Sequence, residues 1–363
     1  MNAPDSILSQ DEQQRYARQI AIPAVGWQGQ EKLKKASVLV IGCGGLGCPL
    51  LQYLTAAGIG TIGIADDDIV SLSNLQRQIL FTQEDIGKQK VEVAKHRLAQ
   101  LNPQVKIEIF TERLTSKNAL RLFADYDIIC DGTDNFPTRY LVNDACVLSN
   151  KINVFAAVNR FDGQVSVFNH QSKINYRDLF PHPPNPDEVQ NCAEAGVLGT
   201  MCGIVASIQA NEVIKLILGI GDTLDGKLLR IDGLSLNQSV FTISKNSNII
   251  IDTLIDYEHF CNMQRQPAVK EITADELRKM IENKQDFQLI DVRELHEHEL
   301  QHIGGELMPM QSILSNQHMI SKEKKVVMFC KSGLRSANVI RYLEKEGYSN
   351  LYNLQGGIDQ FLK

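Results

Sequence analysis

Apolar residues in the first part of the chain run together instead of alternating. Ser37-Val38-Leu39-Val40-Ile41 is a short, partly β-branched run that ends in glycines. Unbroken runs of this kind predict strands buried on both faces of a parallel sheet. Pro49 to Ala57 reads as a helix leading to Gly58 and Gly60, and Thr61 to Ala65 as a second strand that stops at Asp66-Asp67-Asp68. The order strand, glycine loop, helix, strand is a βαβ unit, with an acidic residue about 20 positions beyond the glycines. The whole stretch from Ala36 to Ala65 carries no charge and has the length of a membrane span. Its glycines and Pro49 divide it into separate elements instead.

Further along, Lys88 to Asn102 has the pattern of an amphipathic helix and Val105 to Phe110 that of a strand. Asp127 to Asp131 forms another strand, running into Gly132-Thr133-Asp134-Asn135. Gly196 to Leu218 is long and mostly apolar, suited to one buried helix broken by Gly199 and Gly203, and residues 226–251 alternate loosely as strands. Met263-Gln264-Arg265-Gln266-Pro267 has linker character. The expected division is residues 1–252, a linker at 253–269, and residues 270–363. Thr273 and Glu276 have capping-box spacing, with Ile272 and Leu277 placed as a hydrophobic staple, so a helix starts there. Strands at Phe287 to Val292 and Lys325 to Phe329, then a helix from Ser336 to Glu346 stopped by Gly347, make the tail a second, smaller α/β domain.

Composition agrees with two packed cores: 363 residues, 43% hydrophobic and 22% charged. A net charge of −6 argues against a general nucleic-acid binder or an anionic-membrane binder. The eight cysteines include no Cys-x-x-Cys pair, and several sit in apolar runs, which suits a reducing cytoplasm. Met1 to Ser6 lacks the basic and apolar regions of a signal peptide, so export is not expected.

The candidate chemistry falls in two places. Gly42, Gly44, Gly45 and Gly47 let a backbone approach phosphate oxygens while the following helix N-terminus offers N–H groups to the anion. Such a fingerprint serves NAD, FAD, S-adenosylmethionine or ATP, and Asp66 would grip a ribose in any of them. The residues that discriminate come next. Ser73 and Asn74 precede Arg77 and Lys90, two cations able to neutralise a polyphosphate, and Asp134 at a strand end could hold Mg²⁺ through oxygen. Hydride transfer requires no such arrangement.

Together, Arg15-Tyr16-Ala17-Arg18-Gln19-Ile20, Gly42 to Gly47, Ser71 to Gln78, Lys90 and Gly132 to Asn135 resemble the MoeB/ThiF family, bacterial relatives of ubiquitin-activating enzymes. The resemblance covers about residues 10 to 250. It implies a Rossmann-like adenylation domain that works as a homodimer and uses ATP to activate the C-terminal glycine of a ubiquitin-like sulfur carrier ending in Gly-Gly. By that resemblance Gly44 and Gly45 line the phosphates and Asp66 binds the ribose. Asn74, Arg77 and Lys90 hold the phosphate chain, Asp134 coordinates Mg²⁺, and Arg18 reaches the neighbouring subunit's ATP site. The family usually carries two Cys-x-x-Cys pairs for a structural zinc. Here those regions read Asn175-Tyr176-Arg177-Asp178 and Glu258-His259-Phe260-Cys261, which do not supply four N or S ligands. No structural zinc is expected.

The second place is Cys330-Lys331-Ser332-Gly333-Leu334-Arg335-Ser336. A cysteine between a strand and a helix N-terminus, with Lys331 and Arg335 beside it, favours a thiolate able to carry a sulfane sulfur. The loop resembles the rhodanese active site, and Asp291-Val292-Arg293 and His302-Ile303-Gly304-Gly305 fit the same domain, in which Pro is more usual than Gly304. A fused adenylyltransferase and sulfurtransferase follows, its sulfur drawn from thiosulfate or a cysteine desulfurase, with an inert binding module as the bland alternative for the tail. Cys192 aligns with a mobile-loop cysteine of the family, for which a covalent and an inert role stand equal. Cys43 and Cys48 read as packing residues, and His296, His298 and His302 as a solvated face. Two other readings of the whole chain are an NAD-dependent oxidoreductase and a scaffold without catalysis.

Overall fold

The computed structural model describes residues 6–184, 196–262 and 269–362, which fall into two compact units. In the first unit β1 (Ser37–Ile41), β2 (Thr61–Ala65), β3 (Lys106–Phe110), β4 (Ile128–Asp131) and β5 (Ile152–Asn159) are parallel. Then β6 (Asp162–Phe168), β7 (Lys227–Asp232) and β8 (Gln238–Thr242) extend the sheet antiparallel, giving the order β3-β2-β1-β4-β5-β6-β7-β8. The chain reverses its direction of winding between β1 and β4, the place where ligands bind open α/β sheets, beyond the carboxyl ends of the strands. Register brings those ends level: Ile41 pairs with Ala65 and with Asp131, and Ala65 pairs with Phe110. The loops that begin at residues 42, 66, 111 and 132 therefore all leave the sheet at one height.

The uncharged stretch does divide as its glycines require, into β1, the helix Gly47–Ala57 and β2. The apolar run after residue 196 forms the continuous helix Gly199–Leu218, contrary to the expected break at Gly203. By length and composition this helix could cross a membrane. Here it packs on β5 and β6, with Val205, Ala206 and Val213 fully buried. Gln209, also fully buried, spans two strands by donating to the carbonyls of Asp131 and Val154 at 2.9 and 2.8 Å. Of residues 226–251, only β7 and β8 are strands.

The first unit continues through Cys261. Residues 257–262, expected in the linker, form the helix Tyr257–Asn262, and Tyr257 and Cys261 are buried in its core. The second unit is a parallel sheet in the order β11 (Glu306–Leu307), β10 (Phe287–Asp291), β12 (Lys325–Phe329), β13 (Leu351–Leu354), β9 (Glu271–Ile272). The capping box at Thr273 and Glu276 opens the helix Ala274–Glu282, and the staple residues Ile272 and Leu277 are both buried.

Candidate functional site

At the switch point lies a cleft of about 310 Å³ whose lining includes Gly42, Gly44, Gly45, Asp66, Arg77, Lys90 and Asp134. Gly42 has φ +92°, which glycine adopts without strain, and a Cβ there would lie 3.1 Å from the carbonyl oxygen of Gly132. A Cβ on Gly44 would meet only Gln78, at 3.7 Å, so the loop presents bare backbone to the cleft. On Gly45 it would lie 2.9 Å from Cys202 Sγ and 3.3 Å from Arg77 Cδ. This cradle, together with the N-terminus of an eleven-residue helix, fits the phosphates of a nucleotide.

Asp66 follows β2, held by the N–H groups of Cys43, at 2.6 Å, and Asp68, at 2.8 Å. Burial pushes its carboxyl above the ordinary range, while Lys90 and those N–H groups pull it back. The Lys90 ammonium is buried and pairs with Asp68 at 2.8 Å. Burial alone would lower its pKa, but the Asp66 and Asp68 carboxylates outweigh that and raise it. Asp66, Asp67 and Asp68 bring carboxylate oxygens within 4.8 Å of one another, and Lys90 already contributes a positive charge there. Asp134 stands apart from them, exposed at the start of the loop after Thr133. Its hard oxygen suits a Mg²⁺ whose other ligands are phosphate and water.

Several expected residues lie elsewhere. Gly47 does not line the cleft; a Cβ there would come within 2.0 Å of the Gly42 oxygen, so its role is the close packing of helix on loop. Ser73 and Asn74 are likewise not in the lining. Asn74 Oδ1 accepts from the Ser71 N–H at 3.2 Å, and the Ser73 carbonyl accepts from Arg77 Nη1 at 3.1 Å, so this short turn braces Arg77 from behind. Arg18 is exposed and outside the cleft of its own chain. Cys192 falls outside the described residues. Sequence reasoning gave no role to Gln78, Asp68, Arg139 or Cys202, all of which line the cleft. Gln78 and Asp68 adjoin motif residues in the chain and were within reach; Arg139 and Cys202 arrive on helices with no local signature.

In the second unit Phe329 ends β12 and Cys330 follows it, 1% exposed. Its Sγ accepts from the Gly333 N–H at 3.2 Å and from Ser336 Oγ at 3.5 Å. Gly333, at φ +94°, caps the twelve-residue helix Leu334–Lys345. Arg335 makes two bonds of 2.7 Å to the carboxylate of Glu297. That pairing, with Arg335 as its largest cause, draws the Glu297 carboxyl down to about 2. The Glu297 carboxylate and, to a lesser degree, the Cys330 sulfur raise the pKa of Arg335. The histidines are not simply a solvated face. His298 is partly buried, its Nδ1 lies 2.9 Å from the fully buried Asp291, and its ring stacks on His302 at 4.6 Å. His296 is exposed. Cys43 and Cys48 are fully buried, as packing residues should be.

Side chains tie the segment around Arg177 to the segment around Phe260. Arg177 holds the buried Asp144 with bonds of 2.8 and 2.6 Å, lies 4.6 Å from the Phe260 ring centre and 5.2 Å from that of Tyr140, and Tyr257 donates to Asp144 at 2.8 Å.

Residues 16–250 match the ThiF family and residues 273–363 the rhodanese-like domain. A probable adenylyltransferase/sulfurtransferase MoeZ of Mycobacterium tuberculosis is 45% identical over 99% of this chain and 95% of its own length. A sulfur carrier protein adenylyltransferase of Thermus thermophilus is 48% identical over 70% of this chain and 99% of its own. The adenylyltransferase and sulfurtransferase MOCS3 of Culex quinquefasciatus is 39% identical over 97% and 87%. Among solved structures, PaaA superimposes with a TM-score of 0.58 at 24% identity, covering 68% of this chain and 79% of that one. E. coli MccB does so at 0.58 and 22%, covering 69% and 75%. At these identities the likeness is one of fold.

Proposed function

The chain belongs to the ThiF family and carries a rhodanese-like domain behind the ThiF region, and from that premise we propose that it activates and then thiolates a protein carboxyl terminus. It is an adenylyltransferase and sulfurtransferase. The substrate is a ubiquitin-like sulfur carrier ending in Gly-Gly. Its carboxylate oxygen attacks the α-phosphorus of ATP, the bond to the bridging oxygen breaks, and pyrophosphate leaves with that electron pair. Gly44 and Gly45 cradle the phosphates, Asp66 holds the ribose, and Arg77 and Lys90 balance the charge that builds on the leaving group. Asp134 would hold Mg²⁺, which neutralises phosphate charge when bound.

The persulfide on Cys330 next attacks the carbonyl of the acyl adenylate, and AMP departs. A thiolate, from Cys192 or an external thiol, then attacks the Cys330 sulfur. It forms a new disulfide and releases the carrier thiocarboxylate with the electron pair. Gly333 and Ser336 hold the sulfur in line, and Arg335 supplies a cation kept in place by Glu297. Thiosulfate or a cysteine desulfurase supplies the persulfide. A homodimer in which Arg18 enters the partner's cleft is consistent with that side chain's exposure in the single chain. The described cysteines are all free thiols, which suits a cytoplasmic site of action.

The observation that carries this reading is the cleft itself: a glycine cradle, the cations Arg77 and Lys90, and Asp134 at one switch point. An NAD-dependent oxidoreductase would leave Arg77, Lys90 and Asp134 without work. The test is exchange of labelled pyrophosphate into ATP, dependent on a Gly-Gly-ended carrier, followed by a carrier mass gain of roughly 16 Da, oxygen replaced by sulfur, when a persulfide donor is added. No exchange with any such carrier ends the proposal.

A further inference from the structure

Arg139 is buried, 9% exposed, yet its side chain lines the cleft beside the loop that carries Asp134. It enters from the helix Phe136–Ser149, and its guanidinium carbon lies 5.6 and 5.7 Å from the ring centres of Phe136 and Phe155. Nη2 donates to the carbonyl of Thr133 at 3.1 Å. Across the same loop, Asp131 is 1% exposed and its Oδ1 accepts from the Thr133 N–H at 3.0 Å and from Thr133 Oγ1 at 2.7 Å. Thr133 is thus held at its N–H and hydroxyl by Asp131 and at its carbonyl by Arg139. Asp131 Oδ2 and Arg139 Nε have no hydrogen-bond partner among the described residues.

A buried arginine and aspartate are costly unless they hold something in place, because each charge must be stripped of water. What they hold is the peptide immediately before Asp134. Gly132 packs closely against β1, since a Cβ there would lie 3.2 Å from the Ile41 carbonyl oxygen. We propose that Arg139, with Asp131 as its counter-charge, is a positioning residue for adenylation: it fixes Thr133 and so sets the Asp134 carboxylate at a defined place across from the glycine cradle. The inference rests on the adenylation reading.

The test uses the full chain. In hydrogen–deuterium exchange without any ligand, Arg139→Met speeds exchange in the peptide spanning residues 131–136 and leaves the β1 peptide protected. A merely global loss of stability would speed both. In carrier-dependent pyrophosphate exchange, kcat falls about 100-fold, the scale of an ångström's misplacement, while KM for ATP moves less than about threefold. Half-saturating Mg²⁺ rises. Arg139→Lys keeps the charge but not the planar fork and recovers only part of kcat. If Arg139→Met does not fold, Asp131→Asn, which keeps the shape and removes the charge, shows the same pattern at smaller size. Unchanged loop exchange together with unchanged kcat and Mg²⁺ dependence in the folded variant overturns the inference. Wild-type protein inactive with every Gly-Gly carrier overturns the adenylation reading instead, before any variant is compared.

Discussion

The nucleotide cleft and the cysteine loop solve the same problem, placing charge against a reactive group, by opposite means. The cleft draws residues from the ends of five strands and from three helices, from Ile41 to Cys202. It leaves polar atoms such as Gln78 Oε1 and Arg139 Nε without a hydrogen bond among the described residues. The loop does its work within seven consecutive residues and Glu297, and there the sulfur and the arginine already have partners. A site for a large, diffusing polyanion keeps bonds in reserve for it. A site that carries its reactive atom covalently can satisfy its own groups.

The largest expected effects are crossed variants that ask whether the two sites are chemically separate. Cys330→Ser removes the sulfur carrier atom, so thiocarboxylate formation stops, while carrier-dependent pyrophosphate exchange continues at the wild-type rate. Asp134→Asn lowers that exchange on the order of 10²- to 10³-fold, the range for one preorganised electrostatic group. It leaves persulfide loading of Cys330 intact, read by mass. Loss of pyrophosphate exchange in Cys330→Ser would break the comparison.

The cysteine loop was legible in the sequence for the same reason that it is compact: strand, Cys330, Gly333, Arg335 and helix are contiguous, so spacing alone sets the geometry. The cleft was legible only in part. Gly42, Asp66 and Asp134 each follow a recognisable strand, and register then brings the ends of those strands level. Arg139 sits eight residues beyond Asp131, the last residue of β4, inside a helix whose pattern shows only burial. Its meaning depends on Thr133 and Phe155, brought near by packing. The continuous helix through Gly203 was hidden for a related reason. Glycine weakens a helix by about 1 kcal/mol, and burial of Val205, Ala206 and Val213 outweighs that.

The aromatic and ionic cluster around Arg177 gives the next largest effect, this time on stability. Arg177→Met leaves Asp144, 1% exposed, with Tyr257 but without its counter-charge, and such a loss costs about 3–5 kcal/mol. The sole tryptophan, Trp27, lies in the first unit and reports its unfolding by fluorescence. The same melt in EDTA should match that in buffer, because arginine, carboxylate and rings make the tie. A chelator-induced drop would mean that a metal does it instead.

In the second unit the matching charge is Glu297, and pH reads it. Its carboxyl lies at about 2 in the folded chain against an ordinary 4.5, so the fold favours the ionised form. That contribution is fully present above about pH 4.5 and is lost as pH falls through 2. The stability difference between wild type and Glu297→Gln should therefore be flat from pH 7 to 5 and shrink below it. A difference that instead grows on acidification would contradict the pairing with Arg335.

The smallest effect compares one device used in both units. Ser9 with Glu12 and Thr273 with Glu276 each form a reciprocal capping box, with matching bonds of 3.2 Å to the helix N–H. Removing the hydroxyl of such a cap costs about 1 kcal/mol. The surroundings differ, however. Glu12 is 2% exposed and pairs with Lys34 at 2.6 Å, whereas Glu276 is exposed. Without Ser9 Oγ a buried carboxylate keeps Lys34 but loses the ordered turn that places it, while without Thr273 Oγ1 the exposed Glu276 is simply hydrated. Ser9→Ala should lower the denaturant midpoint of the Trp27 transition by more than Thr273→Ala lowers that of the second unit, measured by hydrogen exchange in β12. Equal losses would show that burial of the reciprocal carboxylate adds nothing to the cap.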